Sequence, residues 1–201
     1  MKIQGKVTYT EMQTPLGRVT LAATERGLTG VWFEHQRHSP DMTGWQRDDT
    51  NATLLDAKTQ LGEYFSDKRN DFEVPLDLSH GTSFQQAVWN ALLTIPRGTT
   101  TSYGDLSKRC GNAAAVRAVG GAVGRNPLSV VVPCHRVVGR DGSTDDSVGR
   151  GVQRRLVVDA TEFRAGLVRR EVLAGEPHQS LLAGVVDPRE LATEGDVVVV
   201  T

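Results

Sequence analysis

TSFQQAVWNALLTIPRGTTTSYGDLSKRCGNAAAVRAVGGAVGRNPLSVVVPCHRV, residues 82–137, is the stretch on which the fold turns. It opens with a capping box: the Thr82 hydroxyl can accept from the backbone N–H of Gln85, whose side chain can reach back. Phe84, Val88 and Leu92 then fall on one face of a helix, which Pro96 and Gly98 end. Ser102 with Asp105 opens a second, short helix, and Gly111 closes it. Asn112 can cap a third, from Ala113 to about Val123, stopped by Gly124 and Asn126-Pro127. Two short helices joined by a tight turn containing glycine make a helix-turn-helix pattern. The third helix is rich in small residues: Ala113, Ala114, Ala115, Ala118, Gly120, Gly121 and Ala122. Gly120 and Gly121 each cost about 1 kcal/mol of helix stability relative to alanine. Such a helix either packs tightly in the core or closely approaches a groove. Val130-Val131-Val132 reads as a short buried strand running directly into Pro133-Cys134-His135-Arg136-Val137.

Upstream, Val7–Thr10 and Val19–Ala22 are β-rich, with Pro15-Leu16-Gly17 as a turn between them. Leu28–Phe33 reads as a third strand. Residues 34–50 are polar, carry Pro40 and read as a loop. From Ala52 to Phe65, Leu54, Leu55, Leu61, Tyr64 and Phe65 follow a helical period. Phe72, Val74 and Leu76 alternate with Glu73 and Pro75, as in a short edge strand. This is an α+β unit that carries no evident chemistry of its own.

The 201 residues are 38% hydrophobic and 23% charged, which excludes wholesale disorder and leaves room for one or two domains. No apolar run approaches the ~20 residues of a membrane span, so no membrane association is expected. The first residues, MKIQGKVTYT, lack the apolar centre of a secretory signal. Two cysteines, Cys110 and Cys134, cannot build a disulfide framework, and a reduced cytoplasmic protein is expected. The net charge of −1 conceals a pattern: residues 1–81 carry −3, residues 82–143 carry +5 and residues 144–201 carry −3. A basic middle between acidic flanks points to an anionic partner, although charge alone fits a solvated basic face as well.

The chemistry sits at Cys134 and His135. A thiol is a poor nucleophile until deprotonated, and a nearby imidazole lowers its pKa. Neighbours on a strand face opposite ways, so the pair meets only if the chain turns at Pro133 and a water bridges the two. Taken alone, a cysteine in a valine-rich segment reads as an inert small hydrophobe.

The surroundings change that reading. Residues 82–143 resemble the active-site domain of the O6-alkylguanine-DNA alkyltransferases, also called methylated-DNA–protein-cysteine methyltransferases. The strings SYG, RAVGGA, NPL, PCHRV and the closing RDGS carry the resemblance. It implies a ribonuclease-H-like α/β domain over residues 1–80 and a winged-helix, helix-turn-helix domain over 81–165 that bears the active cysteine, an α+β arrangement overall. It also implies a role for each matched residue. Cys134 would accept the alkyl group, His135 would act as base through a water, and Tyr103 would help protonate the departing guanine. Arg117 would take the space of the flipped nucleotide. Asn126 would tether the helix-turn-helix to the active site. Ala118, Gly120, Gly121 and Ala122 would let the helix enter the minor groove. The implied partner is double-stranded DNA containing O6-alkylguanine, with O4-alkylthymine as a further candidate, bound by a monomer. A base inside a duplex must be extruded before its O6 meets a thiolate in line. Transfer makes a thioether that His135 cannot hydrolyse, so the protein would act once. No metal and no cofactor are expected, since no second cysteine lies at metal-ligand spacing.

The motifs stop at Ser143. The family continues with a Gly/Tyr-rich loop and a helix whose glutamate orients the histidine, whereas this chain reads TDDSVGRGVQRRLVVDATEF. Glu162 lies near the spacing of that glutamate, with Asp159 as a rival. Residues 144–201 hold 12 valines and no Lys, Ile or Trp. Residues 166–201 are expected to form an atypical tail less ordered than the body, either a diverged appendage or a shifted reading frame. The altered pocket leaves one alternative within the family, an alkyl-lesion binder with impaired transfer. Outside it, a winged-helix transcription regulator leaves PCHRV unexplained, and a Cys-His hydrolase leaves Arg117 and the Ala/Gly helix unexplained.

Overall fold

The computed structural model describes residue 3 and residues 5–139. Strands β1 (Thr8–Thr14) and β2 (Gly17–Thr24) form an antiparallel hairpin, turned at Pro15-Leu16. Strand β3 (Gly27–Phe33) pairs antiparallel with β2. A two-residue strand, β4 (Gln46–Arg47), runs parallel to β1 inside the segment expected to be only loop, giving the order β3-β2-β1-β4. Helix α1 (Ala52–Phe65) has the bounds its periodicity predicts, and Asn51 caps it by accepting from the Leu54 N–H. Leu54, Ala57, Leu61 and Tyr64 are buried under the sheet, but Leu55 points to solvent. A helix buries a stripe, and the i+1 position falls beside it.

The strand expected at residues 72–76 shrinks to one parallel bridge between Leu28 and Leu76. Leu28 donates to the Pro75 carbonyl and accepts from Asp77 N–H, at 2.8 Å each. Gly27 makes this approach possible: its φ is +144°, and a Cβ there would collide with the Pro75 carbonyl.

Helix α2 (Ser83–Leu93) carries both halves of the Thr82–Gln85 capping box. Val88, Trp89 and Leu92 are buried, whereas Phe84, expected on the same face, lies in the first turn and is exposed. Strand β5 (Thr101–Ser102) leads into helix α3 (Tyr103–Arg109), capped by Ser102. Gly111, at φ +79°, ends α3, with its N–H on the Lys108 carbonyl and the Asn112 N–H on the Ser107 carbonyl. The next helix, α4, starts later than expected and spans Val116–Val123. Asn112 spends its side-chain oxygen on the Ala114 N–H, closing a turn instead of capping a helix. Trp89 Nε1 donates to the Ala122 carbonyl at 2.9 Å and pins α4 to α2.

One continuous core joins sheet, α1, α2, α3, α4 and the segment from Leu128 to Val137. Two further ties cross between the halves. Arg97 pairs with Asp67 and Asn70 and lies 5.3 Å from the Tyr64 ring centre. The outer edge of β3 also takes up residues 127–129: Val31 N–H donates to the Pro127 carbonyl at 2.8 Å, and Ser129 N–H donates to the Val31 carbonyl at 3.0 Å.

Candidate active site and nucleic-acid interface

The valine run before the cysteine is not a strand. Val130 has φ +73°, a left-handed conformation rare for a β-branched residue, and it is buried. Its neighbours coil tightly: Val131 N–H donates to the Ser129 carbonyl, Val132 N–H to Leu128 and Cys134 N–H to Val132. Asn126 organises the coil. Its amide donates to the Val132 carbonyl at 2.7 Å and the Leu128 carbonyl at 3.4 Å, and its oxygen accepts from the Leu128 N–H at 3.0 Å. Side-chain bonding to nearby backbone thus replaces the ladder that valine propensity favours. Asn126 is 4% exposed, so it acts inside the chain and does not present itself to a partner.

After Pro133 the chain enters a 3₁₀ turn over Cys134–Arg136. Side chains three to a turn diverge by about 120°, less than on a strand, so the turn at Pro133 that the thiol–imidazole pairing required is present. Cys134 is 2% exposed and His135 1%. Burial first, and the Arg136 charge second, push the His135 imidazole down to about 3. It is therefore neutral at physiological pH and able to take a proton. His135 Nδ1 is buried and has no hydrogen-bond partner among the described residues. The Arg136 guanidinium donates to the Ile95 carbonyl at 2.7 Å and fixes the turn against the end of α2.

Strand β6 (Val137–Val138) leaves the turn and pairs parallel with β5, Thr101 opposite Val137 and Ser102 opposite Val138. This small sheet sets Tyr103, the first residue of α3, beside the exit of the Cys134 turn. The Tyr103 hydroxyl is buried. Its ring lies 3.9 Å from where a Cβ on Gly120 would sit.

Helix α4 buries Val119, Ala122 and Val123 and exposes Val116, Arg117 and Ala118. Packing against the described residues does not demand its glycines. An added Cβ at Gly120 meets only the Tyr103 ring at ordinary contact distance, and at Gly121 only the tip of Arg125 at 3.3 Å. Core packing accounts for Ala122, which is 3% exposed and faces inward instead of toward a groove, but among the described residues it does not account for Gly120 and Gly121. Arg117 makes no hydrogen bond or ion pair among the described residues. With Lys108, Arg109 and Arg125 it gives the α3–α4 side four exposed cations.

Sequence reading missed Arg136, Trp89 and Ser129 as supports of the site; their contacts span from 33 to 93 residues and leave no local signature. Glu162, Asp159 and the 166–201 tail lie outside the described residues.

Residues 7–78 match the family model described as 6-O-methylguanine DNA methyltransferase, ribonuclease-like domain. Residues 83–160 match the DNA binding domain of the same family, so the match continues past Ser143, where the motifs stop. A methylated-DNA–protein-cysteine methyltransferase of Mycolicibacterium paratuberculosis is 40% identical over 158 residues, 79% of this chain and 93% of that protein. The constitutive one of Bacillus subtilis is 40% identical over 70% of this chain and 86% of its own length. A crystal structure of Mycobacterium tuberculosis OGT in complex with DNA superposes with a TM-score of 0.70 at 41% identity, covering 75% of this chain and 90% of that one. The two matches follow one another along the chain, a ribonuclease-like domain and then a DNA binding domain, and the described fold has an α/β unit followed by a helical one. The chain belongs to the 6-O-methylguanine DNA methyltransferase family.

Proposed function

We propose that this protein repairs O6-alkylguanine in double-stranded DNA by flipping the damaged base and transferring its alkyl group, once and irreversibly, to Cys134. O4-alkylthymine is a second substrate for the same chemistry. The observation that carries the reading is the buried Cys134–His135 turn together with a helix, α4, whose glycines no contact among the described residues requires. Close approach of a groove explains what packing does not.

In this reading α4 enters the minor groove, and Ala118, Gly120 and Gly121 keep it thin. Arg117 fills the gap left by the flipped nucleotide and offsets part of the unstacking cost of a few kcal/mol. The exposed cations give an affinity that weakens with salt. Neutral His135 takes the Cys134 proton through a water, and the thiolate attacks the alkyl carbon. The S–C bond forms as the O6–C bond breaks, and the guanine leaves as its anion, which Tyr103 helps to protonate. The His135 Nδ1, without a partner among the described residues, calls for an acceptor, and Glu162 is the carboxylate we assign to it. The acceptor must stay a thiol, which suits a reducing cytoplasm, and one copy of the chain holds every residue named. Residues 1–80 serve as a support for the reacting unit over 81–165.

The test is intact-mass spectrometry after mixing the protein with duplex DNA carrying one O6-methylguanine, with Cys134→Ala as control. The expected result is a gain of one methyl, mapped to Cys134 and absent in the variant. No gain, with the lesion still bound more tightly than plain DNA, would overturn transfer and leave a lesion-binding protein.

A further inference from the structure

The geometry points to Gln36, in the ribonuclease-like unit, as a positioning residue for the Cys134 turn; the inference rests on the transfer reaction proposed above. Gln36 is 6% exposed and follows His35, whose φ of +63° folds the end of β3 back on itself. That reversal aims the Gln36 side chain at its own strand. Its Oε1 accepts from the Phe33 N–H at 3.1 Å and from the Ser129 hydroxyl at 3.0 Å. The second bond joins residues 93 apart in the chain and is buried.

Ser129 is the last residue held before the strained part of the site. Its backbone N–H is on Val31, its hydroxyl on Gln36, and its carbonyl accepts from the Val131 N–H at 2.9 Å. Val130, the next residue, sits in the left-handed region. A β-branched residue persists there only where its flanks are over-determined. Asn126 spans Val130 by holding Leu128 before it and Val132 after it, and Gln36 fixes Ser129, the residue directly before it. The Cys134 N–H hangs from the Val132 carbonyl at 2.8 Å, so a shift at Ser129 passes along the coil to the acceptor thiol. Gln36 lies off the α3–α4 side and has no contact with the exposed cations there. It should therefore govern the transfer step and not DNA affinity.

Single-turnover transfer from O6-methylguanine duplex DNA, measured across DNA concentrations, separates the rate at saturation from the apparent Kd. Gln36→Leu is expected to slow the saturating rate roughly tenfold, within the ~100-fold that a 1 Å misplacement can cost, with Kd unchanged. Gln36→Glu keeps a carbonyl oxygen as acceptor in either protonation state and should restore most of the rate. Should Gln36→Leu fail to fold, Ser129→Ala deletes the same contact from the other side and is expected to slow the saturating rate as well. A folded Gln36→Leu or Ser129→Ala that transfers at the wild-type saturating rate overturns the inference. So does a loss confined to Kd. A wild-type protein that transfers nothing instead overturns the functional reading itself.

Discussion

Replacing Asn126 by alanine tests whether one buried amide holds the reactive segment in shape. The substitution removes the acceptor of the Leu128 N–H and the donor to the Val132 and Leu128 carbonyls. The two carbonyls keep other partners, the Cys134 and Val132 N–H groups. The Leu128 N–H does not, and leaving it buried and unpaired costs about 1–3 kcal/mol. The lost 2.7 Å bond adds about 1 kcal/mol. The expected loss is therefore about 2–4 kcal/mol, or roughly 5–15 °C in Tm for a chain of this size. Relaxation of Val130 out of its left-handed conformation returns part of that energy, since such a conformation stores about 1–3 kcal/mol. The same relaxation moves Cys134, so the transfer rate falls even where stability recovers. Urea unfolding with an unchanged m-value reads the first effect, and single-turnover transfer reads the second. Asn112→Ala is the control: its side chain is exposed, makes one bond to the Ala114 N–H and should cost under about 1 kcal/mol. An Asn126→Ala protein as stable and as fast as wild type would refute the assignment of Asn126 as the organiser of the coil.

Three other outcomes follow from the same contacts. Gly120→Ala should raise stability by up to about 1 kcal/mol, because the new methyl meets only the Tyr103 ring, while weakening binding to lesion DNA; a variant that gains stability and binds as before would dismiss the close-approach argument. Arg117→Ala should leave the urea midpoint within about 0.5 kcal/mol of wild type, slow repair of flipped-out guanine and lower the salt dependence of DNA binding by about one unit of slope. For His135 the folded pKa of about 3 lies below the unfolded value near 6.5, so the unfolded chain binds the extra proton first. Stability is then full above the unfolded pKa and declines as pH falls toward 3, by about 2 kcal/mol between pH 7 and pH 5. His135→Asn should flatten that slope in paired denaturant titrations. A carboxylate accepting from Nδ1 raises the folded pKa and shrinks the wild-type slope, so the slope also reports that partner.

The parts of the fold that sequence revealed are those set by short-range chemistry. Thr82 with Gln85, Ser102 with Asp105 and Gly111 fixed helix ends because each satisfies backbone groups within a few residues of itself. Where one residue had two local options, the reading slipped. Asn112 could cap a helix or close a turn, and it closed the turn. Valines 130–132 favour a strand by propensity, but Asn126, four residues upstream, captured the carbonyls a ladder would have used. The assignment of chemistry to Cys134 and His135 rests on the motifs around them, since the pair alone looks inert. The Gln36–Ser129 bond had no signal in the sequence: neither residue is unusual locally, and the contact exists only after β3 takes up residues 127–129 as an extra edge.

The energetics of the site argue that the pair alone is not a sufficient machine. In the proposed transfer, an imidazole held at about 3 has to take a proton from a thiol whose ordinary pKa is about 8.5, a gap worth about 7 kcal/mol. Carried into the transfer step, that gap would slow the reaction by about 10⁵-fold. The larger cause of the low pKa is burial, the same burial that keeps bulk water from the thiol, so exposing the ring is not a remedy. The remedy compatible with a buried ring is an acceptor for Nδ1, since an opposite charge there favours the imidazolium and closes the gap from the base side. The Nδ1 atom, without a partner among the described residues, marks where that acceptor would belong. On the proposed mechanism, an anionic group at this point would turn the thiol of the isolated Cys-His pair into a nucleophile. The family match running to residue 160 leaves room for such a group in the sequence beyond Gly139.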